Sequence, residues 1–215
     1  MKLYRKLTVW TGPTFLILCL IGLTAQAETT LTEPQLIVQE TSNKLQSAMK
    51  ANPPSGNYER ASQIVSEIIE PHIDFTRVSA LVLGKHWKRA NPGQRQSFKK
   101  EFRELLIRTY AVAFSEYAEW DIEYVPLKIN PDDKKVLVKT QIIRPGAPPI
   151  AVNYRMIHKK DNWKVYDVVI EGISFIKNYR TTFKNEVARS GSLDSVIARL
   201  AKRNSKSAQS TEKES

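Results

Sequence analysis

The sequence predicts an α+β domain in which helices cover one face of a curled antiparallel sheet of about four strands. Three observations lead to this prediction. Helical periodicity runs through the first half of the chain, strict alternation replaces it from Asp121, and helical periodicity returns after Ser174. The alternating segments are joined by short connections rich in turn residues, which is typical of neighbouring antiparallel strands.

The N-terminal residues predict an export signal. A short basic stretch precedes an apolar run over 15–23, and Ala25-Gln26-Ala27 follows as a small-x-small cleavage pattern. A membrane anchor would need about 20 uninterrupted apolar residues, more than this run supplies. We therefore expect residues 1–27 to be a signal peptide that is cleaved after Ala27, and the mature protein to be exported.

Removal of this signal changes the composition of the chain. It takes away the single cysteine, Cys19, and lowers the formal charge from +11 to +8. The mature chain then has no thiol for a disulfide, for catalysis or for a metal. Its positive charge favours anionic partners, although the same charge also serves solubility, and export argues against nucleic acid. Residues 28–203 suffice for one domain, and 204–215 have the composition of a disordered polar tail.

Helix start and stop signals place the first three helices. Thr32, with a glutamine three positions on, predicts a helix that runs to about Lys50, and a second helix is expected to end near Pro71. Asp74 is expected to cap a short third helix over 75–83 that ends at a glycine.

The longest helix is predicted to begin at Asn91, as cap, and Pro92. One of its faces carries an apolar stripe, and the other is basic, with Lys99, Arg103 and Arg108. After the strands, two more helices are expected, over 174–189 and from a cap at Ser192 onward.

The strand from Trp163 is apolar on both sides. Simple alternation places Trp163, Val165 and Val169 on one face and Tyr166, Val168 and Ile170 on the other. Helices can cover one of these faces, so the other needs a further partner.

Three segments together resemble the MlaC family of periplasmic phospholipid-binding proteins, also called the toluene-tolerance family. They are WKVYDVVIEGISFIKNYRTTF (163–183), LVLGKHW (81–87) and FRELLIRTYA (102–111). The resemblance covers nearly the whole mature chain. It implies a helical part joined to a nuclear-transport-factor-2-like (NTF2-like) cone, with a lipid cavity between sheet and helices.

The resemblance also implies a function in intermembrane phospholipid transport that maintains outer-membrane lipid asymmetry. Diacyl phospholipid would be the cargo, and no cofactor is expected. The implied partners are an outer-membrane lipoprotein in complex with a porin, and an inner-membrane ABC transporter, through its substrate-binding domain ring.

The candidate cavity residues are large apolar side chains on elements that should converge, and each of them also suits a packed core. They are Leu81, Val82, Phe102, Leu105, Leu106, Tyr110, Val138, Tyr154, Met156, Val168, Ile170, Ile173, Phe175 and Ile176. Ile173 is the favoured residue for the cavity mouth, because it lies in the EGISF segment that matches the family's EGVS pattern. Basic candidates for the lipid head group are Lys85, Arg144, Lys177 and Arg180.

The sequence contains no recognisable catalytic cluster. His72, His86 and His158 fall on different elements without partners at metal-ligand spacing, and the glycines form no phosphate-binding loop. We therefore expect neither an enzyme nor a metal site. Two alternatives stay open: an isomerase or dehydratase of the same cone fold with an inward-facing Asp167 as its base, and an adaptor with a filled core that binds protein. On the carrier interpretation Asp167 is structural and bonds to Arg155 or to a neighbouring loop.

Overall fold

Helices form the two ends of the described chain, and five strands form its middle. The computed structural model describes residues 30–51, 58–116 and 120–213. Its elements are α1 (Glu33–Ala51), α2 (Tyr58–Ile64), a π-helical segment (Val65–Ile69), a 3-10 turn (Glu70–His72), α3 (Phe75–Leu83), α4 (Lys85–Arg89), α5 (Pro92–Glu116), β1 (Asp121–Tyr124), β2 (Lys135–Arg144), β3 (Ala147–Lys159), β4 (Asn162–Ile170), β5 (Ile173–Ser174), α6 (Phe175–Ser190) and α7 (Leu193–Lys213). The expected signal peptide lies outside the described residues. Within those ranges, no helix has the length and apolar character that crossing a bilayer requires.

Side-chain caps start the helices where the sequence predicts. Asn91 and Gln94 form a reciprocal capping box before α5: the Gln94 amide donates to Asn91 Oδ1 at 2.9 Å, and the Asn91 amide donates to Gln94 Oε1 at 3.0 Å. Thr32, Asp74 and Ser192 make comparable local hydrogen bonds at the starts of α1, α3 and α7. The start points of these helices are therefore properties of short sequence segments.

The C-terminal helix extends beyond its predicted end. Composition predicts a disordered tail from residue 204, but α7 continues to Lys213. Asn204 is 7% exposed, and its amide nitrogen donates to the Glu101 backbone oxygen at 3.0 Å and to the Glu101 carboxylate at 2.8 Å. This tertiary contact with α5 anchors the helix at the point where composition alone indicates disorder.

The five strands form an antiparallel sheet in sequence order, β1-β2-β3-β4-β5. The α+β prediction is confirmed, with one very short strand more than the predicted four. The register places Val138 opposite Tyr154 and Tyr154 opposite Val168. These three side chains share one face, which we call the Tyr154 face.

A bulge in β4 makes the predicted alternation of this strand wrong. Met156 pairs with Val165 and Arg155 pairs with Asp167, so Tyr166 is an extra residue. One inserted residue reverses the side of every residue that follows it. Val168 and Ile170 therefore share the Tyr154 face with Trp163 and Val165, whereas Asp167 and Val169 point to the opposite face.

Among the described residues, buried apolar side chains form three clusters. The largest joins α3, α5, α6 and α7 around Phe98, Phe102 and Phe183, each at most 2% exposed. A second cluster packs Val38 of α1 against Val138, Met156 and Trp163, so α1 covers part of the Tyr154 face. The third cluster joins α1 to α2 through Leu45, Met49 and Ile64.

Candidate functional site

The predicted cavity residues on helices come together in the largest cluster. Val82, Phe102 and Ile176 are buried there, whereas Leu81, Leu105, Leu106 and Phe175 are only partly buried. The Phe175 ring links the buried Phe102 to Tyr110, with its centroid 6.3 Å from that of Phe102 and 6.1 Å from that of Tyr110. All eight predicted helical positions thus contribute to one contiguous apolar surface, in which the partly buried side chains retain accessible area.

The predicted cavity residues on strands lie on the Tyr154 face. Val138 and Met156 are fully buried beneath α1, whereas Tyr154 and Val168 are half-buried beside them. Ile170 and Ile173 continue the face toward its edge, at 47% and 67% exposed. The face therefore changes from tightly packed to open along the β4 strand.

Tyr154 and Tyr124 both pack against the apolar cluster on this face. Burial raises the pKa of the Tyr154 phenol strongly, and burial also raises the pKa of Tyr124 to about 12. By its accessible area Tyr154 is half-buried rather than fully enclosed. Both phenols are neutral at ordinary pH, so they place no charge on this face.

The exposed Ile170–Ile173 pair is held on a tight hairpin. Glu171 and Gly172 connect β4 to β5 with φ values of 48° and 79°. The Gly172 value lies in the left-handed region that glycine enters without steric cost. The Glu171 amide donates to the Ala151 oxygen at 2.9 Å, and its carboxylate accepts from the Ala151 amide. These bonds to β3 fix the hairpin that carries the predicted cavity mouth.

Asp167 connects α6 to the sheet through hydrogen bonds. Its Oδ2 accepts hydrogen bonds from Ser174 Oγ at 2.7 Å and from Arg155 Nη1 at 2.9 Å, and its Oδ1 accepts from the Ile176 amide at 3.0 Å. A carboxylate that accepts from a helix's first turn also stabilises the helix dipole. The isomerase or dehydratase alternative needs an inward-facing Asp167, but the bulge turns it away from Tyr154 and both of its oxygens are engaged. The predicted structural role of Asp167, including its bond to Arg155, fits this geometry.

The predicted head-group residues do not form one cluster. Arg180 Nε donates to the Leu81 carbonyl oxygen at 2.7 Å, at the end of α3 that Lys85 follows. Lys177 is exposed one turn before Arg180 on α6. Arg144 is half-buried at the end of β2, near the β3 segment that binds the Glu171 hairpin.

Sequence reasoning missed a basic groove of about 780 Å³ between α5 and the β3–β4 hairpin. Its lining includes Lys99, Lys100 and Arg103 on one wall and Lys160 and Lys164 on the other. The basic face of α5 is visible in the sequence as cations at helical spacing, but nothing local indicates that a hairpin faces it. The groove contains none of the predicted cavity residues.

Among the described residues, no three His, Cys, Asp or Glu side chains are grouped so that they could hold a metal ion. His158 packs on Trp163, with ring centroids 5.1 Å apart. The described residues thus form an α+β domain with an apolar sheet face that helices cover only in part.

A family comparison identifies the chain more closely. Residues 39–202 match the model of the MlaC protein family, and the chain therefore belongs to that family. This confirms the family resemblance carried by the three sequence segments.

Individual relatives agree with this assignment. The chain is 30% identical over 190 residues to the intermembrane phospholipid transport system binding protein MlaC of Haemophilus influenzae, covering 84% of this chain and 85% of the relative. It is 28% identical over 179 residues to the toluene tolerance protein ttg2D of Pseudomonas putida, covering 81% of each. Among solved structures, a phospholipid-binding protein from Ralstonia solanacearum, in complex with a phospholipid, matches with a TM-score of 0.76 and 30% identity, covering 82% of this chain and 99% of that chain.

Proposed function

We propose that this protein is a periplasmic carrier that moves phospholipid between the outer and inner membranes and so maintains outer-membrane lipid asymmetry. The main support for this proposal is the similarity to the Ralstonia structure, which contains a phospholipid. The match extends across nearly the full length of the Ralstonia chain. The names of the Haemophilus and Pseudomonas relatives support the same function.

The geometry of the Tyr154 face supports acyl chains as the ligand. Val168 and Tyr154 retain accessible area beside the fully buried Val138 and Met156, and the face opens toward Ile170. An alkyl chain that lies along the accessible part of this apolar face would gain dispersion contacts and remove apolar area from water. We place the tails along this face and the head group near the Glu171–Gly172 hairpin, with Ile173 at the mouth.

An apolar lining also suits the energetics of a carrier. A diacyl phospholipid has about 30 methylenes, and at about 0.8 kcal/mol each its transfer to water costs on the order of 20 kcal/mol. Moving the tails from a bilayer into an equally apolar cavity is nearly neutral. The carrier therefore removes the barrier without holding the lipid too tightly to release it.

The proposed location and partners follow from the N-terminal segment and the family. Residues 1–27 have the composition of a cleaved export signal, which supports a periplasmic location for the mature chain. There it would exchange lipid with an outer-membrane lipoprotein–porin complex and with the substrate-binding ring of an inner-membrane ABC transporter. The net charge of +8 on residues 28–215 favours anionic partner surfaces.

Mass spectrometry tests the proposal directly. The mature chain is purified from periplasm without detergent, and an organic extract is analysed for lipid. We expect close to one phospholipid per protein molecule. A lipid-free protein that also takes up no lipid from vesicles would contradict the carrier function and favour the adaptor alternative.

A further inference from the structure

The basic groove is a second surface feature, separate from the Tyr154 face. One wall is α5, whose Gln96, Lys99, Lys100 and Arg103 lie on a single helical face. The other wall is the tip of the β3–β4 hairpin, and the floor is the segment that leads into α3. Counting all lining side chains, six cations face three carboxylates, a net charge of +3.

The carboxylates of the groove are already compensated. Arg103 forms ion pairs with Glu70 and with Glu104, the latter at 2.7 Å. Lys159 Nζ lies 3.0 Å from Asp74 Oδ2, whose carboxylate also caps α3. Two cations therefore pair with all three carboxylates, and the four remaining lysines give the groove its net positive charge.

Three lysines of the groove have no hydrogen-bond or ion-pair partner for their ammonium groups among the described residues. Lys99 and Lys100 lie on the helical wall, and Lys160 lies on the hairpin at a φ of 56°. Unpaired ammonium groups thus lie on both walls of the groove. Such an arrangement complements a convex element that carries several negative charges.

We propose that this groove docks a protruding, aspartate- and glutamate-rich segment of a partner protein. The inference rests on the proposed carrier function, because a carrier has to engage protein at both membranes. A protein segment fits better than a bilayer surface, since cations on the walls of a concave groove cannot all contact a flat layer of head groups. The separation of the groove from the Tyr154 face lets the protein dock without occluding its lipid site.

Charge reversal tests the groove. The triple variant K99E/K100E/K160E is compared with K184E/R199E/K202E, which makes the same charge change at exposed positions on α6 and α7. Fluorescence anisotropy measures binding of a labelled hexaglutamate peptide at low and at physiological salt. Sedimentation measures binding to vesicles of phosphatidylethanolamine and phosphatidylglycerol. We expect the groove variant to lose peptide affinity at least about tenfold and to lose most of its salt dependence, while the control variant binds nearly as the wild type does.

Several results would overturn the docking proposal. They are a wild type that does not bind the peptide, an equal loss in both variants, and a groove variant that loses vesicle binding but keeps peptide binding. The last result would assign the groove to a lipid surface. Phospholipid content is measured on the same samples: a wild type without lipid refutes the carrier function, while the peptide measurements still decide whether the groove binds acidic segments.

Discussion

Replacing Ile173 with glutamate is expected to separate lipid retention from folding. The Ile173 side chain is 67% exposed, so only about a third of the 1.5–3 kcal/mol available from burying an isoleucine stabilises the fold. The substitution should therefore cost less than about 1 kcal/mol, which lowers the Tm of a domain of this size by about 2–4 °C. A carboxylate in the path of the acyl chains, by contrast, costs several kcal/mol. A cost of about 3 kcal/mol corresponds to a loss of lipid affinity of more than a hundredfold.

The assay compares phospholipid per protein molecule, by mass spectrometry of detergent-free preparations, with the Tm of each variant. Leu137→Glu is the matched control, because Leu137 is 37% exposed on a strand but pairs with Arg155 on the opposite face of the sheet. We expect normal lipid content in Leu137→Glu and almost none in Ile173→Glu. Full lipid content in a folded Ile173→Glu protein, or equal loss in both variants, would refute the placement of Ile173 at the mouth. If Ile173→Glu does not fold, Ile173→Gln provides the same comparison without the charge.

Three further predictions concern stability. Asp167→Ala removes the carboxylate that accepts hydrogen bonds from Ser174 Oγ and from the first turn of α6. We expect urea unfolding to show that the free energy of unfolding falls by about 3 kcal/mol. A decrease of less than about 1 kcal/mol would mean that other contacts hold α6. Ser79→Ala removes a fully buried hydroxyl that has no hydrogen-bond partner among the described residues. The variant should therefore be as stable as the wild type or up to about 1 kcal/mol more stable. Clear destabilisation in the same assay would indicate that the hydroxyl bonds to water. Burial raises the pKa of Tyr124 and of Tyr154 above the unfolded value of 10, so their contribution to stability should be complete below pH 10 and decline as the pH rises toward 12. The chain has eight tyrosines, so the phenolate absorbance of these two is taken as the difference between the wild type and the variant Y124F/Y154F. A difference that appears near pH 10 without unfolding would contradict their burial.

Much of the fold was predicted from short sequence segments. The Asn91–Gln94 capping box and the Asp74 cap depend on residues only three positions apart, so the starts of α5 and α3 are readable from short segments. Alternation from Asp121 likewise indicated the strands. The contact of Asn204 with α5, at the start of the predicted disordered tail, is a tertiary interaction that composition does not indicate.

The sequence predicted the candidate site less completely than it predicted the fold. Apolar composition selected side chains that do cluster, but it did not separate the fully buried Phe102 from the partly buried Phe175, because both positions need the same kind of residue. The basic groove went unnoticed because its two walls come from distant parts of the chain. Each wall alone looks like a solvated charged surface.

The helix caps and the change from helical to strand periodicity follow from the sequence alone, since residues close together in the chain carry both. The family resemblance is also visible in the sequence, because several short segments in the same order carry it. The face of β4 that carries Val168 and the direction of Asp167 depend on the tertiary structure. Both follow from the bulge at Tyr166, because whether a strand accommodates an extra residue depends on its partner strand, and one extra residue reverses the side of every residue after it.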